Sequence, residues 1–247
     1  MRPAFGMLLA AAVVAPAGAE VTDRLTRTVP LARDTPIHVQ VTVGEVRVTG
    51  WERAAVEVEI VRRAASAAAL ARFPATVETS AAGLSVRAVQ AEGGRDAALR
   101  ADVMMRVPAS ARLADVDVFE GTVALDALRG WVSVRLERGN ITADAISGVL
   151  RLETAIGDIR VSQATLRPDG LIRLRTFNGD VSVALAERPA DARVLALSLN
   201  GTIASDMPLN RQERWGPRWA EATIGKGEPV ISIDVVNGNI DLRMGAR

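Results

Sequence analysis

Residues 118–162 read VFEGTVALDALRGWVSVRLERGNITADAISGVLRLETAIGDIRVS, and within them Gly121, Gly130, Gly139, Gly148 and Gly157 stand nine residues apart. The residue two places after each glycine is aliphatic: Val123, Val132, Ile141, Leu150 and Ile159. Gly44, Gly179, Gly201 and Gly238 repeat the signature outside the strict interval, followed by Val46, Val181, Ile203 and Ile240. If about half of all residues are apolar, nine hits out of nine arise by chance roughly once in five hundred trials. Four places after the glycines the series continues as Val48, Leu125, Val134, Ala143, Leu152, Val161, Val183, Ser205 and Leu242, with Ser205 the one polar member. Between these columns stand Arg47, Ala124, Ser133, Thr142, Arg151, Arg160, Ser182, Ala204 and Asp241. A period of two sends one set of side chains to a core and the other to water, so each unit reads as a turn followed by a half-buried strand.

A strand of five or six residues cannot bury its apolar face alone, and repeats near twenty residues point to stacked coils. Two nine-residue units make one coil of eighteen; the spacing lengthens to 22 from Gly157 to Gly179 and again from Gly179 to Gly201, which places insertions in loops. The fold expected is all-β, a stacked-strand solenoid resembling a β-helix, with one short N-terminal helix. A hairpin meander is the alternative. Asn178-Gly179, Asn200-Gly201 and Asn237-Gly238 each lie between alternating runs, the local signal for a two-residue hairpin. Read so, Leu171 to Phe177 pairs antiparallel with Asp180 to Leu185. The nine-residue interval, with no room for two strands and a turn, favours coils.

Outward from the array, the first nineteen residues hold Arg2, the apolar run Met7 to Val14 and Ala17-Gly18-Ala19, the layout of a secretory signal peptide. Residues 20–247 are then expected to form a single β-repeat domain. Its irregular part, 20–110, includes a short alanine-rich helix at 64–72 that ends before Pro74 and could close one end of the stack; residues 111–247 form the glycine-marked array. No later stretch has the length of a membrane-spanning helix. With no cysteine, the chain has no disulfide framework and no thiol nucleophile. Without Arg2 the sequence balances 29 basic against 29 acidic residues, which excludes a nucleic-acid footprint. The chain ends a few residues after the last unit, Gly238 to Met244, so an unpaired final strand is expected there, either open to edge-strand self-association or, the favoured reading, guarded by Arg243 and Arg247 or covered by Arg211 to Pro217.

The chemistry-bearing residues are few. His38 is the only histidine, in a strand, and no nucleophile-elbow motif accompanies it. No catalytic, cofactor-binding or metal-binding residue is assigned. Asp158 and Asp180 follow turn glycines singly and read as turn residues, and the paired-glycine nonapeptide of calcium-binding β-rolls is not met. On an outer face Glu137, Glu153 and Asp158 could align as the carboxylates of a carbohydrate-active enzyme, or serve as ordinary solvated charges. Arg214, Trp215, Arg218 and Trp219 fall in the 37-residue interval between Gly201 and Gly238 and form the candidate binding loop. The competing reading of its tryptophans is a cover for the sheet or for the stack end.

The stretch at 118–162, with FNGDVSVAL at 177–185 and VVNGNIDLRM at 235–244, resembles the bacterial putative-adhesin family of β-strand-repeat domains of unknown function. So does the lead-in VTVGEVRVTGWERAAVEVEI at 41–60, and VMMRVPASARL at 103–113 is similar to that family's strand and proline before its array. The resemblance covers nearly the whole exported portion. It implies a cell-envelope, β-helix-like domain with no established catalytic residues, and no membrane anchor or helical bundle of the kind some relatives carry is expected. The expectation is an exported, periplasmic or secreted, non-enzymatic protein that needs no cofactor and presents its stack as an adhesin-like binding or scaffolding surface to an envelope protein or glycan. A polysaccharide lyase or hydrolase on the same scaffold is the alternative.

Overall fold

Alternate members of the nine-residue glycine series fall on opposite corners of a coil. A computed structural model of the chain describes residues 20–90, 98–212 and 218–245. The elements are β1 (Val21–Pro30), β2 (Pro36–Trp51), β3 (Ala55–Ala64), α1 (Ala67–Ala71), β4 (Ala75–Ser80), β5 (Gly83–Ala88), β6 (Arg100–Pro108), β7 (Arg112–Asp126), β8 (Trp131–Asp144) and β9 (Val149–Ile156). They continue with β10 (Ile159–Ala164), β11 (Leu171–Asn178), β12 (Val181–Leu185), β13 (Ala192–Asn200), β14 (Ile203–Ser205), β15 (Asn210–Gln212), β16 (Arg218–Ile224), β17 (Val230–Asn237) and β18 (Ile240–Arg243). The leader reading of residues 1–19 lies outside the described residues.

Each coil has two limbs. Face A stacks the first halves of β2, β7 and β8, then β9, β11, β17 and β13, all parallel. Face B stacks the second halves of β2, β7 and β8, then β10, β12, β18 and β14, again parallel. β11 and β12 are therefore not a hairpin: each pairs in parallel with the coils on either side. All nine aliphatic residues two places after a glycine are buried, as are their Gly+4 partners except Ser205, at the end of the stack. Both faces contribute to one apolar cluster.

At the first corner Gly44, Gly121, Gly139, Gly157, Gly179, Gly238 and Gly201 form a column in that spatial order. Gly139 shows why glycine is required: φ is +131° and a Cβ there would lie 1.7 Å from the Gly121 carbonyl oxygen. Side chains ladder along this corner. Asn140 Oδ1 accepts from the Asp158 N–H at 2.9 Å, Asp158 Oδ1 from the Asp180 N–H at 2.8 Å, Asp180 Oδ1 from the Asn239 N–H at 2.7 Å, and Asn239 Oδ1 from the Thr202 N–H at 3.0 Å. Two positions earlier, on the other side of each glycine, Asn200 Nδ2 donates to Asn237 Oδ1 at 2.8 Å and Asn237 Nδ2 to Asn178 Oδ1 at 2.7 Å. The Asn-Gly pairs mark stacked corners, where amide ladders of this kind add to the backbone pairing. Inside the corner the hydroxyls of Thr154, Thr176 and Ser198 donate to the carbonyls of Gly139, Gly157 and Gly238. These three residues are buried, and the bonds satisfy groups that would otherwise be costly to bury.

The chain doubles back near its end. The coil of β17 and β18 is inserted between the β11/β12 coil and the β13/β14 coil. The final strand is thus paired on both sides, by β12 and β14, and offers no edge; this corrects the expectation of an open terminal strand. Antiparallel strands close both ends: β16 lies on β13 and β15 on β16, while at the other end β4 lies on β5, β3 on β6 and β1 on β3. Beside β3, α1 is capped by Ser66, whose Oγ accepts from the Ala69 N–H, and the Arg62 guanidinium binds the Phe73 carbonyl and Asp23.

Candidate functional site

The outer side of face A carries residues that alternation assigns to water, yet toward the β13 end they turn apolar. Register places Asp117, Arg135, Glu153, Arg175, Asp234, Leu197 and Trp219 in one row across successive strands. The first five alternate in sign, and Arg135 pairs with Asp117 at 3.4 Å. Two places before the corner glycines a second row runs Phe119, Glu137, Ala155, Phe177, Val236 and Leu199. Phe177 is 55% exposed and Leu199 42%, among the highest values for large apolar side chains in the described structure. Together these rows line a groove of about 450 Å³, floored by Phe177, Leu197, Leu199 and Val236 and flanked by Arg135, Glu153, Arg175 and Asp234.

The groove takes in two of the three carboxylates singled out in the sequence. Glu137 and Glu153 line it, but Asp158 sits in the corner ladder with its carboxylate engaged by the Asp180 N–H. Of the candidate loop, Arg214 and Trp215 lie outside the described residues. Trp219 stands opposite Leu197 on β13, at the rim of the same outer face. The Arg218 guanidinium instead donates to the carbonyl of Gly201, the last glycine of the column, which has no further coil to meet.

A second cluster lies toward the other end. Ser85, His38 and Asp115 are register neighbours on β5, β2 and β7. No hydrogen bond joins His38 to either neighbour among the described residues, so no nucleophile–base pair is assembled. Burial, followed by the hydrogen bond and charge of Asp115, pushes the Asp117 carboxyl up, against the pull of Arg135. On face B, burial would raise the Asp102 carboxyl, but the Arg63 guanidinium, the Glu45 N–H and Arg100 together hold it below the usual carboxylate range. That carboxylate begins the corner ladder, its Oδ1 accepting from the Glu45 N–H at 3.1 Å. Among the described residues no group of three or more histidine, cysteine or acidic side chains is placed to hold a metal ion, and no helix is long and apolar enough to cross a membrane.

The row two before the glycines carries a signal already present in the sequence. Alternation assigns it to solvent, so Phe177, Val236 and Leu199 at neighbouring outward positions were the signal for the groove. No curated protein matches the chain in sequence. Among solved structures, the chain is similar to a "putative cell adhesion protein" from Clostridium sporogenes, with a TM-score of 0.55 and 11% identity over 92% of this chain and 100% of that one. It is also similar to a "putative adhesin" from Bacteroides fragilis, with a TM-score of 0.36 and 13% identity over 89% of this chain and 97% of that one. At such identities the first likeness speaks to fold alone. Residues 75–243 match the model of the Toastrack DUF4097 family, which takes in most of both faces, and the chain belongs to that family.

Proposed function

We propose that this chain is an exported, non-enzymatic cell-envelope protein, periplasmic or secreted, that uses its β-stack as an adhesin-like binding or scaffolding surface. The observation that carries the reading is the apolar groove on face A, set on strands whose backbone is paired on both sides. Single exposed apolar residues need no explanation, but a contiguous apolar floor rimmed by charges marks an interaction site. Phe177 and Leu199 are already about half buried, so covering the rest would gain about 0.7–1.5 kcal/mol each. The leader-like composition of residues 1–19 supports export. The test is retention of a solubilised envelope fraction on the immobilised protein. Phe177→Asp with Leu199→Asp is expected to abolish retention while leaving the melting temperature intact; unchanged retention refutes the reading.

The enzymatic alternative keeps one specific observation: Glu137 and Glu153 share the groove. Release of oligosaccharide from envelope polysaccharide, lost in Glu137→Gln or Glu153→Gln, would establish it in place of the binding role.

A further inference from the structure

The geometry points to a second copy of this chain as the partner that docks on the groove, two stacks associating through face A about a two-fold axis parallel to the strands. This inference rests on the reading of that face as a binding surface. A rotation about such an axis reverses the order of strands but keeps each row facing itself, so a self-complementary surface must carry opposite partners at mirrored places in a row. With the axis midway between β11 and β17 the row Asp117, Arg135, Glu153, Arg175, Asp234 meets that condition at its centre, where Arg175 and Asp234 oppose each other, while one strand outward Glu153 lies over the partner's Leu197.

Three rows select the position between β11 and β17. There Arg175 faces the partner's Asp234, and Asp234 faces the partner's Arg175, so the most desolvated charges at the centre are matched. Arg135 comes over the partner's Trp219, an arrangement that favours a guanidinium on an indole face. In the apolar row Phe177 meets the partner's Val236, and small Ala155 meets the partner's Leu199. In the third row Arg173 faces the partner's Ser232. One strand earlier, Arg151 would face the partner's Arg173 and like charges would repel. One strand later, Asp234 would meet the partner's Leu197 at the centre with no cation opposite.

The area is sufficient. Six strands about 4.8 Å apart and about seven residues long at roughly 3.3 Å each project about 660 Å². Accessible area exceeds its projection, so the face meets the roughly 800 Å² per partner of a stable interface.

Sedimentation velocity on the purified full-length protein, with no envelope fraction present, tests the inference. The wild type is expected to sediment as a dimer at micromolar concentration. Arg175→Glu or Asp234→Arg alone is expected to weaken the dimer at least tenfold, and the two together to restore it. Circular dichroism melting of each variant separates loss of association from loss of fold, and Phe177→Asp supplies a disruption independent of charge. A monomeric wild type, or a folded double variant that stays monomeric, overturns the inference. If the wild type is monomeric while Phe177→Asp with Leu199→Asp still abolishes envelope retention, self-association fails and the docking reading stands. If the charge exchange restores the dimer while envelope retention never depends on the groove, the external-partner reading fails instead.

Discussion

Gly139 separates what a single residue contributes to this fold from what its neighbours could supply. Its missing side chain lets the Gly121 carbonyl oxygen approach to where a Cβ would sit, at 1.7 Å, and its φ of +131° is one that other residues rarely adopt. Gly139→Ala is therefore expected to cost more than about 4 kcal/mol, in the exceptional class for a point mutation. Gly170→Ala, whose Cβ would meet its nearest atoms at 3.0 Å, should cost about 1–2 kcal/mol. Chemical denaturation of the two variants measures the contrast. Asp102 gives a pH-dependent counterpart. Its carboxyl titrates lower in the folded protein, so its contribution is present above the unfolded value and is lost as pH falls through the folded one. Asp102→Asn keeps an acceptor for the Glu45 N–H but loses the charge facing Arg63; it should destabilise by about 1–3 kcal/mol near pH 7, the difference closing as acidification protonates the folded carboxyl. Asp117 has the opposite sign: its carboxyl is pushed up, so it penalises the fold as pH rises through the raised value, and Asp115→Asn should stabilise the protein at neutral pH. The buried aliphatic columns were legible because burial and period coincide in them. The Asn-Gly pairs keep a hairpin open as the alternative because a tight turn and a coil corner both favour that dipeptide; the nine-residue interval favours coils, and the parallel pairing of β11 and β12 with their neighbours bears that out.

Among elements, the two ends of the stack are closed differently, and Arg218 marks the more exposed one. Every earlier glycine carbonyl in the column lies against the next coil, whereas that of Gly201 is met by the Arg218 guanidinium across the β14 edge. β14 has three residues and, among the described residues, one sheet neighbour, so local opening there should be easier than anywhere in the central coils. Arg218→Ala is expected to raise amide exchange at Gly201 to Ser205 several-fold while leaving β8 to β10 unchanged, as hydrogen-exchange mass spectrometry would read; uniform protection would deny the capping role. The sequence pointed to this arginine as part of a binding loop. A cap for a stack end and a ligand contact both call for an exposed cation after a turn, so residue type alone could not separate them. The groove is harder to see for a related reason: Glu137 and Glu153 stand out in the sequence as charges, but the apolar floor beside them comes from strands separated by 37 to 59 residues, which only pairing brings together.

For the molecule as a whole, stability should follow coil order in space rather than in sequence. A stacked array derives its stability from each coil's contacts with its two neighbours, and the coil formed last by the chain is here an interior one. Removing residues 230–247 would strip β17 and β18 from between two other coils, leaving the outer faces of β11 and β12 on one side and β13 and β14 on the other without partners. Were the last strand instead an open terminal one, the same truncation would be far less harmful. The expected result is that residues 171–212 lose exchange protection and the truncated protein aggregates through the exposed strand edges, while residues 112–144 stay protected because β7 and β8 remain paired on both sides. Retained protection across 171–212 would mean that β13 can re-pair directly with β11. The glycine spacing makes that outcome a fair contest, since Ile172 and Val194 occupy equivalent buried positions against Ile231 and the two strands could in principle be brought together in register. What opposes it is the short β13–β15 segment, already committed to the antiparallel closure by β16, which would have to move as a unit by a full strand spacing of about 4.8 Å to close the gap.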